Sequence, residues 1–194
     1  MLRIVGGIFK NRKICTPKAL TRPTSERLRE SLFDILQDSI IDAKVLDLFA
    51  GSGAIGIEAL SRGAKEAVFV EKDKNAILCL KKNLILLTIE NLAKTYYSDA
   101  LLFLKRCYEE FDIIYIDPPY NLYAEKMDYI ENLLREIVAK SLLKPTGTLF
   151  LEAPQSAKIL PLDNLQLLLL KNYKSGKSCL YRFVIQPNSH AHNE

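Results

Sequence analysis

The sequence predicts an α/β fold: a mostly parallel sheet with helices on both faces, a small N-terminal β extension and an antiparallel C-terminal hairpin. Three observations carry this. From residue 44 onward, short apolar runs alternate with stretches of helical spacing, the pattern of a parallel sheet with helical crossovers. The runs at 45–49 and 111–116 are apolar almost throughout, as central strands covered on both faces are. The pattern then breaks at 165–185, where two β-like segments flank Lys174-Ser175-Gly176-Lys177, the mark of a hairpin.

Taken in order, segments 3–5 and 8–15 read as a short ribbon around Gly6-Gly7. Residues 16–24 hold Pro17 and Pro23 and read as a connecting loop. A helix of about three turns begins at Ser25, with Leu28, Leu32, Phe33, Ile35 and Leu36 on its apolar face. Strands are predicted at 45–49, 67–70, 93–97, 111–116 and 147–152. Residues 51–62 read as a glycine loop opening into a helix, and further helices are predicted at 72–87, 100–108 and 127–140. The hairpin strands are 165–173 and 178–185. The domain reading is a basic β-ribbon extension over 1–24, the α/β domain over 25–187, and a polar tail over 188–194 holding His190 and His192.

At 194 residues and 48% apolar, the chain is one domain with a sizeable core. No apolar run reaches the roughly 18–20 residues of a membrane span, and the N-terminus lacks the apolar stretch of a signal peptide. The four cysteines (Cys15, Cys79, Cys107, Cys179) are scattered without a Cys-x-x-Cys, so reduced thiols in a cytoplasmic protein are expected, and no metal site. Charge is unevenly spread. Residues 1–30 hold eight Lys or Arg against two acids, while the remainder holds 19 basic and 21 acidic residues. The excess, with Arg3, Lys10, Arg12 and Lys13 on the ribbon, suggests a polyanionic partner; a merely solvated surface is the plainer alternative.

The first chemical signal is the loop Asp47-Leu48-Phe49-Ala50-Gly51-Ser52-Gly53-Ala54-Ile55-Gly56, a G-x-G-x-x-G between strand and helix, with Glu71 ending the next strand 20 residues after Gly51. Glycines there let a ligand approach the backbone, and Glu71 is placed to accept ribose hydroxyls. A dinucleotide and S-adenosylmethionine both satisfy this. Asp47 favours the second. An acid inside an apolar strand end needs a donor or a cation, and it would repel a pyrophosphate. Phe49, Gly51, Ser52 and Gly53 are the candidate loop contacts. Asp99 and Ala100, after the third strand, are candidates for the adenine, although Asp99 also reads as a helix N-cap.

The second signal is Asp117-Pro118-Pro119-Tyr120 after the strand at 111–116, at the edge where open α/β sheets bind ligands. An exocyclic amine of a base is a poor nucleophile because its lone pair is delocalised into the ring. Two acceptors gripping its N–H groups, Asp117 and the Pro118 carbonyl, would favour a pyramidal nitrogen. Tyr120 offers a face on which the base stacks. Asp117 would stabilise the charge that develops as the methyl is transferred. The base must be flipped out to reach such a site. A rigid turn with a capping Asp is the structural alternative.

These motifs, together with Arg3-Ile4-Val5-Gly6-Gly7, Arg22-Pro23-Thr24, Arg27-Leu28-Arg29-Glu30-Ser31-Leu32-Phe33 and Lys174-Ser175-Gly176 before Tyr181, resemble the RsmD family of class I S-adenosylmethionine-dependent methyltransferases. The resemblance covers nearly the whole chain. It implies a Rossmann-like, seven-stranded sheet with a reversed last strand. It also implies methylation of a guanine N2 amino group in 16S ribosomal RNA, on the small subunit or an assembly intermediate. By the same resemblance Arg22 and Thr24 lie beside the cofactor pocket, with RNA contact open for Arg22 and helix capping for Thr24. A monomer is the default.

Three other readings remain. An adenine-N6 or cytosine-N4 methyltransferase on DNA or RNA fits the tetrad equally, although little chain is left for a DNA-recognition domain. An NAD-dependent oxidoreductase explains the glycines and Glu71 but not the tetrad or hairpin. A non-catalytic RNA-binding assembly factor would keep the motifs without turnover.

Overall fold

The structure, a computed structural model, describes residues 1–17, 26–157 and 165–186. Arg22, Thr24, the predicted helix start at Ser25, His190, His192 and the tail lie outside the described residues.

Among these residues seven strands form one sheet: β3 (Lys44–Leu48), β4 (Glu66–Glu71), β5 (Ala93–Tyr97), β6 (Phe111–Ile116), β7 (Leu143–Pro154), β8 (Leu167–Ser175) and β9 (Ser178–Ile185). Their order is β5-β4-β3-β6-β7-β9-β8. β3 pairs in parallel with both β4 (Val45 opposite Ala67) and β6 (Val45 opposite Ile113). β9 runs antiparallel to both β7 and β8. The hairpin therefore joins the sheet through its second strand, and β9 alone is reversed. The chain winds outward from β3 toward β5 and then from β6 toward β8. That reversal opens a crevice at the carboxyl ends of β3 and β6, where ligands of such sheets bind.

Two apolar cores flank the sheet because neighbouring strand residues point to opposite faces. On one face Val45, Phe69, Ile113, Tyr115 and Phe150 meet α1 (Glu26–Leu36), α2 (Ala54–Ser61) and α3 (Lys74–Leu87). On the other, Leu46, Val68, Ile114 and Leu149 meet α4 (Ala100–Arg106), α5 (Asn121–Glu125) and α6 (Met127–Ala139). The helical spacing explains the fit: α6 buries Ile130, Leu133, Leu134 and Ile137, one stripe of its surface. α3 starts where Asp73 caps it, accepting the Ala76 N–H at 2.7 Å.

The N-terminal ribbon is shorter than the sequence suggests. Only β1 (Leu2–Arg3) and β2 (Lys13–Ile14) pair, Leu2 opposite Ile14. The predicted strand at 8–15 is mostly turn, because Gly7 and Asn11 take positive φ and fold residues 7–12 back on themselves. The ribbon does not stand apart. Ile4 and Ile14 join the first core. The buried Glu58 carboxylate on α2 accepts N–H groups from Val5 (2.9 Å) and Gly6 (2.6 Å), and also Arg62 Nε (2.9 Å). Gly7 lies against the end of α2 so closely that a Cβ would come within 1.8 Å of the Ser61 carbonyl oxygen. Arg29, fully buried on α1, donates to the Arg3 carbonyl and ties that helix to the ribbon.

Other elements differ in extent. β7 begins at Leu143 rather than 147, because Leu143 pairs with Phe111 before the register shifts to Thr148 opposite Ile113. It also runs on to Pro154. The helix at 100–108 stops at Arg106. The hairpin strands close to Ser175 and Ser178, leaving Gly176 and Lys177 as the turn. α5 was not expected; its five residues are too few to show a period.

Candidate active site

The glycine loop leaves β3 and the Asp117–Tyr120 tetrad leaves β6. These neighbouring strands flank the crevice. Phe49 (φ 65°), Gly51 (φ 57°) and Gly53 (φ 83°) turn the chain from β3 into α2. At Gly53 the missing side chain also serves packing, since a Cβ would sit 2.3 Å from Leu80 Cδ1. Ser52 is buried, and its carbonyl accepts from Asn83 Nδ2 at 2.9 Å.

Asp47 is 2% exposed and accepts the Gly56 N–H, in the first turn of α2, at 3.0 Å. Burial pushes its carboxyl up to about 7, against the hydrogen bond from Gly56, with the Glu71 charge adding to the rise. Glu71 is fixed by two backbone donors: Oε2 accepts from Gly51 at 2.8 Å and Oε1 from Asp73 at 2.7 Å. Asp99 is an N-cap, as its alternative reading had it. Oδ1 accepts from Leu101 (2.9 Å) and Leu102 (3.2 Å), ahead of the buried Ala100. Its other oxygen accepts the Tyr129 hydroxyl at 2.8 Å. Glu71 and Asp99 keep further lone pairs, so neither is closed to a ligand by these bonds.

Asp117 follows Ile116 directly, and Ile116 pairs with Leu151, which sets Asp117 beside Glu152 at the carboxyl edge. Pro118 is buried and Pro119 exposed. The Pro119 carbonyl accepts the Leu122 N–H and so opens α5. The Tyr120 hydroxyl lies 2.5 Å from Ser178 Oγ, which ties the tetrad to the start of β9. The Tyr123 hydroxyl donates to the Glu152 carbonyl at 2.6 Å; burial, then the charges of Asp117 and Glu152, push that hydroxyl far up from its ordinary range. Tyr115 donates to Glu152 Oε2 at 2.8 Å within the first core.

The loop, Glu71, Asp99 and the tetrad thus share one edge of the sheet. The tip of the ribbon does not. Ile8 N–H and Phe9 N–H bond to Ser61 at the carboxyl end of α2, and Arg12 donates to the Leu86 carbonyl at the end of α3. Both helices begin at the site edge, so the tip with Lys10 and Arg12 lies about 12 Å, one eight-residue helix, toward the opposite edge. Arg3 and Lys13, paired across the ribbon, are exposed, and Arg3 lies 3.6 Å from Glu26. Glu152, Tyr129 and Ser178 were not anticipated. Glu152 is the last residue of the strand expected at 147–152, whereas β7 runs two residues beyond it and buries it.

A family model described as conserved hypothetical protein 95 matches residues 2–184. Among curated relatives, the Ribosomal RNA small subunit methyltransferase D of Escherichia coli K12 is 41% identical over 134 residues, 68% of this chain and 67% of the relative. The protein of the same name from Haemophilus influenzae is 34% identical over 172 residues, 86% of each. Among solved structures, yhhF of Escherichia coli superposes with a TM-score of 0.83 at 31% identity, covering 94% of this chain and 96% of that one.

Proposed function

The chain belongs to the conserved hypothetical protein 95 (RsmD) family of ribosomal RNA methyltransferases, and on that premise we propose that it transfers a methyl group from S-adenosylmethionine to the N2 amino group of a guanine in 16S ribosomal RNA. The observation that carries this is the convergence of the glycine loop and the Asp117–Tyr120 tetrad on adjacent strands at the sheet's switch point. The partner is the small subunit or an assembly intermediate, and the working form is a cytoplasmic monomer.

The residues present fit this donor. In a dinucleotide site the first N–H groups of the helix after the glycine loop face a pyrophosphate. Here the Asp47 carboxylate already accepts one of them, from Gly56. Asp47, Glu71 and Asp99 make the rim acidic, which suits a ligand carrying an ammonium and a sulfonium and opposes one carrying phosphates. When bound, S-adenosylmethionine supplies an electrophilic methyl on a sulfonium. Phe49, Gly51, Ser52, Gly53, Glu71, Asp99 and Ala100 line its place, with Asp47 beneath; Thr24 joins them by family likeness.

On the tetrad side, Asp117 accepts one N–H of the guanine amino group and the Pro118 carbonyl accepts the other. The Pro119 carbonyl already accepts the Leu122 N–H at the start of α5, which favours Pro118 of the two. The gripped nitrogen aims its lone pair at the methyl position, and Tyr120 holds the extruded base by stacking. Asp117 stabilises the positive charge on the nitrogen and accepts the departing proton. Arg3, Lys10, Arg12 and Lys13 contact RNA phosphates away from the reacting base, and Arg22 is a further RNA contact.

The test is Asp117→Ala. It abolishes transfer of labelled methyl to 16S RNA, while calorimetry still detects S-adenosylmethionine binding and detects no NAD binding. Near-normal transfer by the variant, or NAD binding in place of S-adenosylmethionine, defeats the reading.

A further inference from the structure

We propose that the turn of the β8–β9 hairpin is a second RNA-contact surface, at the mouth of the site, where Lys174 and Lys177 neutralise phosphates flanking the methylated nucleotide. The proposal rests on the functional reading above and extends it to an element outside the N-terminal basic segment.

The first argument is charge. Residues 165–186 carry Lys171, Lys174, Lys177 and Arg182 and no Asp or Glu. Residues 31–164, the body between the two basic ends, carry 15 basic and 20 acidic residues. An acid-free element on an acidic body is where a polyanion meets a favourable field.

Position is the second. The Tyr120 hydroxyl and Ser178 Oγ are 2.5 Å apart, and Ser178 immediately follows Lys177. The turn is therefore held against the residue on which the base would stack. Lys174 and Lys177 are both exposed. Lys171 is already engaged, its Nζ 5.2 Å from the Tyr173 ring centroid. By contrast, the ribbon tip with Lys10 and Arg12 sits toward the opposite edge of the sheet. A flipped nucleotide leaves its own and its neighbours' phosphates at the rim, within reach of the hairpin.

The third argument is rigidity. Gln155, just past β7, donates its N–H to the Lys177 carbonyl at 2.9 Å and its Nε2 to the Gly176 carbonyl at 2.8 Å. Ser175 pairs with Ser178, and Cys179 with Ala153. A turn clamped from both sides loses little freedom on binding.

The test compares the double variant Lys174→Gln, Lys177→Gln with wild type and with Lys105→Gln, an exposed lysine in the last turn of α4. Binding to 16S ribosomal RNA, free and in 30S particles, is measured across a salt series. The slope of log K against log salt falls by about 1.4 in the double variant, about 0.7 per phosphate contact to single-stranded RNA. It stays at the wild-type value in Lys105→Gln, and S-adenosylmethionine affinity is unchanged in both. A double-variant slope equal to that of wild type, or a wild type whose binding ignores salt, overturns the proposal. The readout is binding, so a wild type that methylates another base fails the functional reading without affecting this result.

Discussion

Asp47 concentrates the conflict between stability and its proposed role at the cofactor in one side chain. Its carboxyl is raised from an unfolded value of 3.8 to about 7 by burial. As pH climbs from about 4 to about 7 the unfolded chain releases this proton first, so the folded state loses stability across that window and the loss is complete above it. Asp47→Asn keeps an acceptor for the Gly56 N–H without the buried charge. We predict that at pH 8 it is more stable than wild type by roughly 2–4 kcal/mol, with the gap closing toward pH 4. It binds S-adenosylmethionine more weakly, since the cationic ligand favours the ionised acid. Urea denaturation at several pH values and calorimetry check both; a variant less stable than wild type at pH 8 contradicts the account. Asp47 was legible in the sequence because an acid stood inside an apolar run. Glu152 was not, although it too is buried. The expected strand ends at 152, where an acid reads as surface, yet β7 continues to Pro154.

At the scale of elements, β5 and β6 run over the residues their apolar patterns mark, and α3 and α6 fall within one or two residues of their helical spacing. β7 begins four residues before the strand expected at 147, across Pro145, which has no N–H to give to the ladder. The pairing of Leu143 with Phe111 overrides that local signal and absorbs the extra residues in a register shift. The ribbon was misjudged for a related reason: its length is set by docking on α2, which sequence does not reveal. Glu58 is the clasp. Its replacement by Ala leaves the Val5 and Gly6 N–H groups without that acceptor and removes the partner of Arg62 Nε. We predict a loss of about 2–4 kcal/mol in urea denaturation. A loss below about 0.5 kcal/mol would mean the ribbon is held by its apolar residues Ile4 and Ile14 alone.

Over the whole molecule, the charge reading needed three dimensions. Counted along the chain, positive charge gathers in residues 1–30 and the rest is slightly acidic. Folding separates that basic segment, sending the ribbon tip toward the far edge, and brings the acid-free hairpin to the site edge. The nearness of the two motifs was legible because both follow strands and strand order brings those strands together. The bracing by Tyr129, Ser178 and Glu152 was not, because each reaches the site from a distant part of the chain. The central claim is that this one edge grips a guanine amino group. The direct measurement is nucleoside analysis of 16S RNA from 30S particles incubated with the protein and labelled S-adenosylmethionine. The account predicts label in N2-methylguanosine; label in N6-methyladenosine or N4-methylcytidine, or none at all, would contradict it.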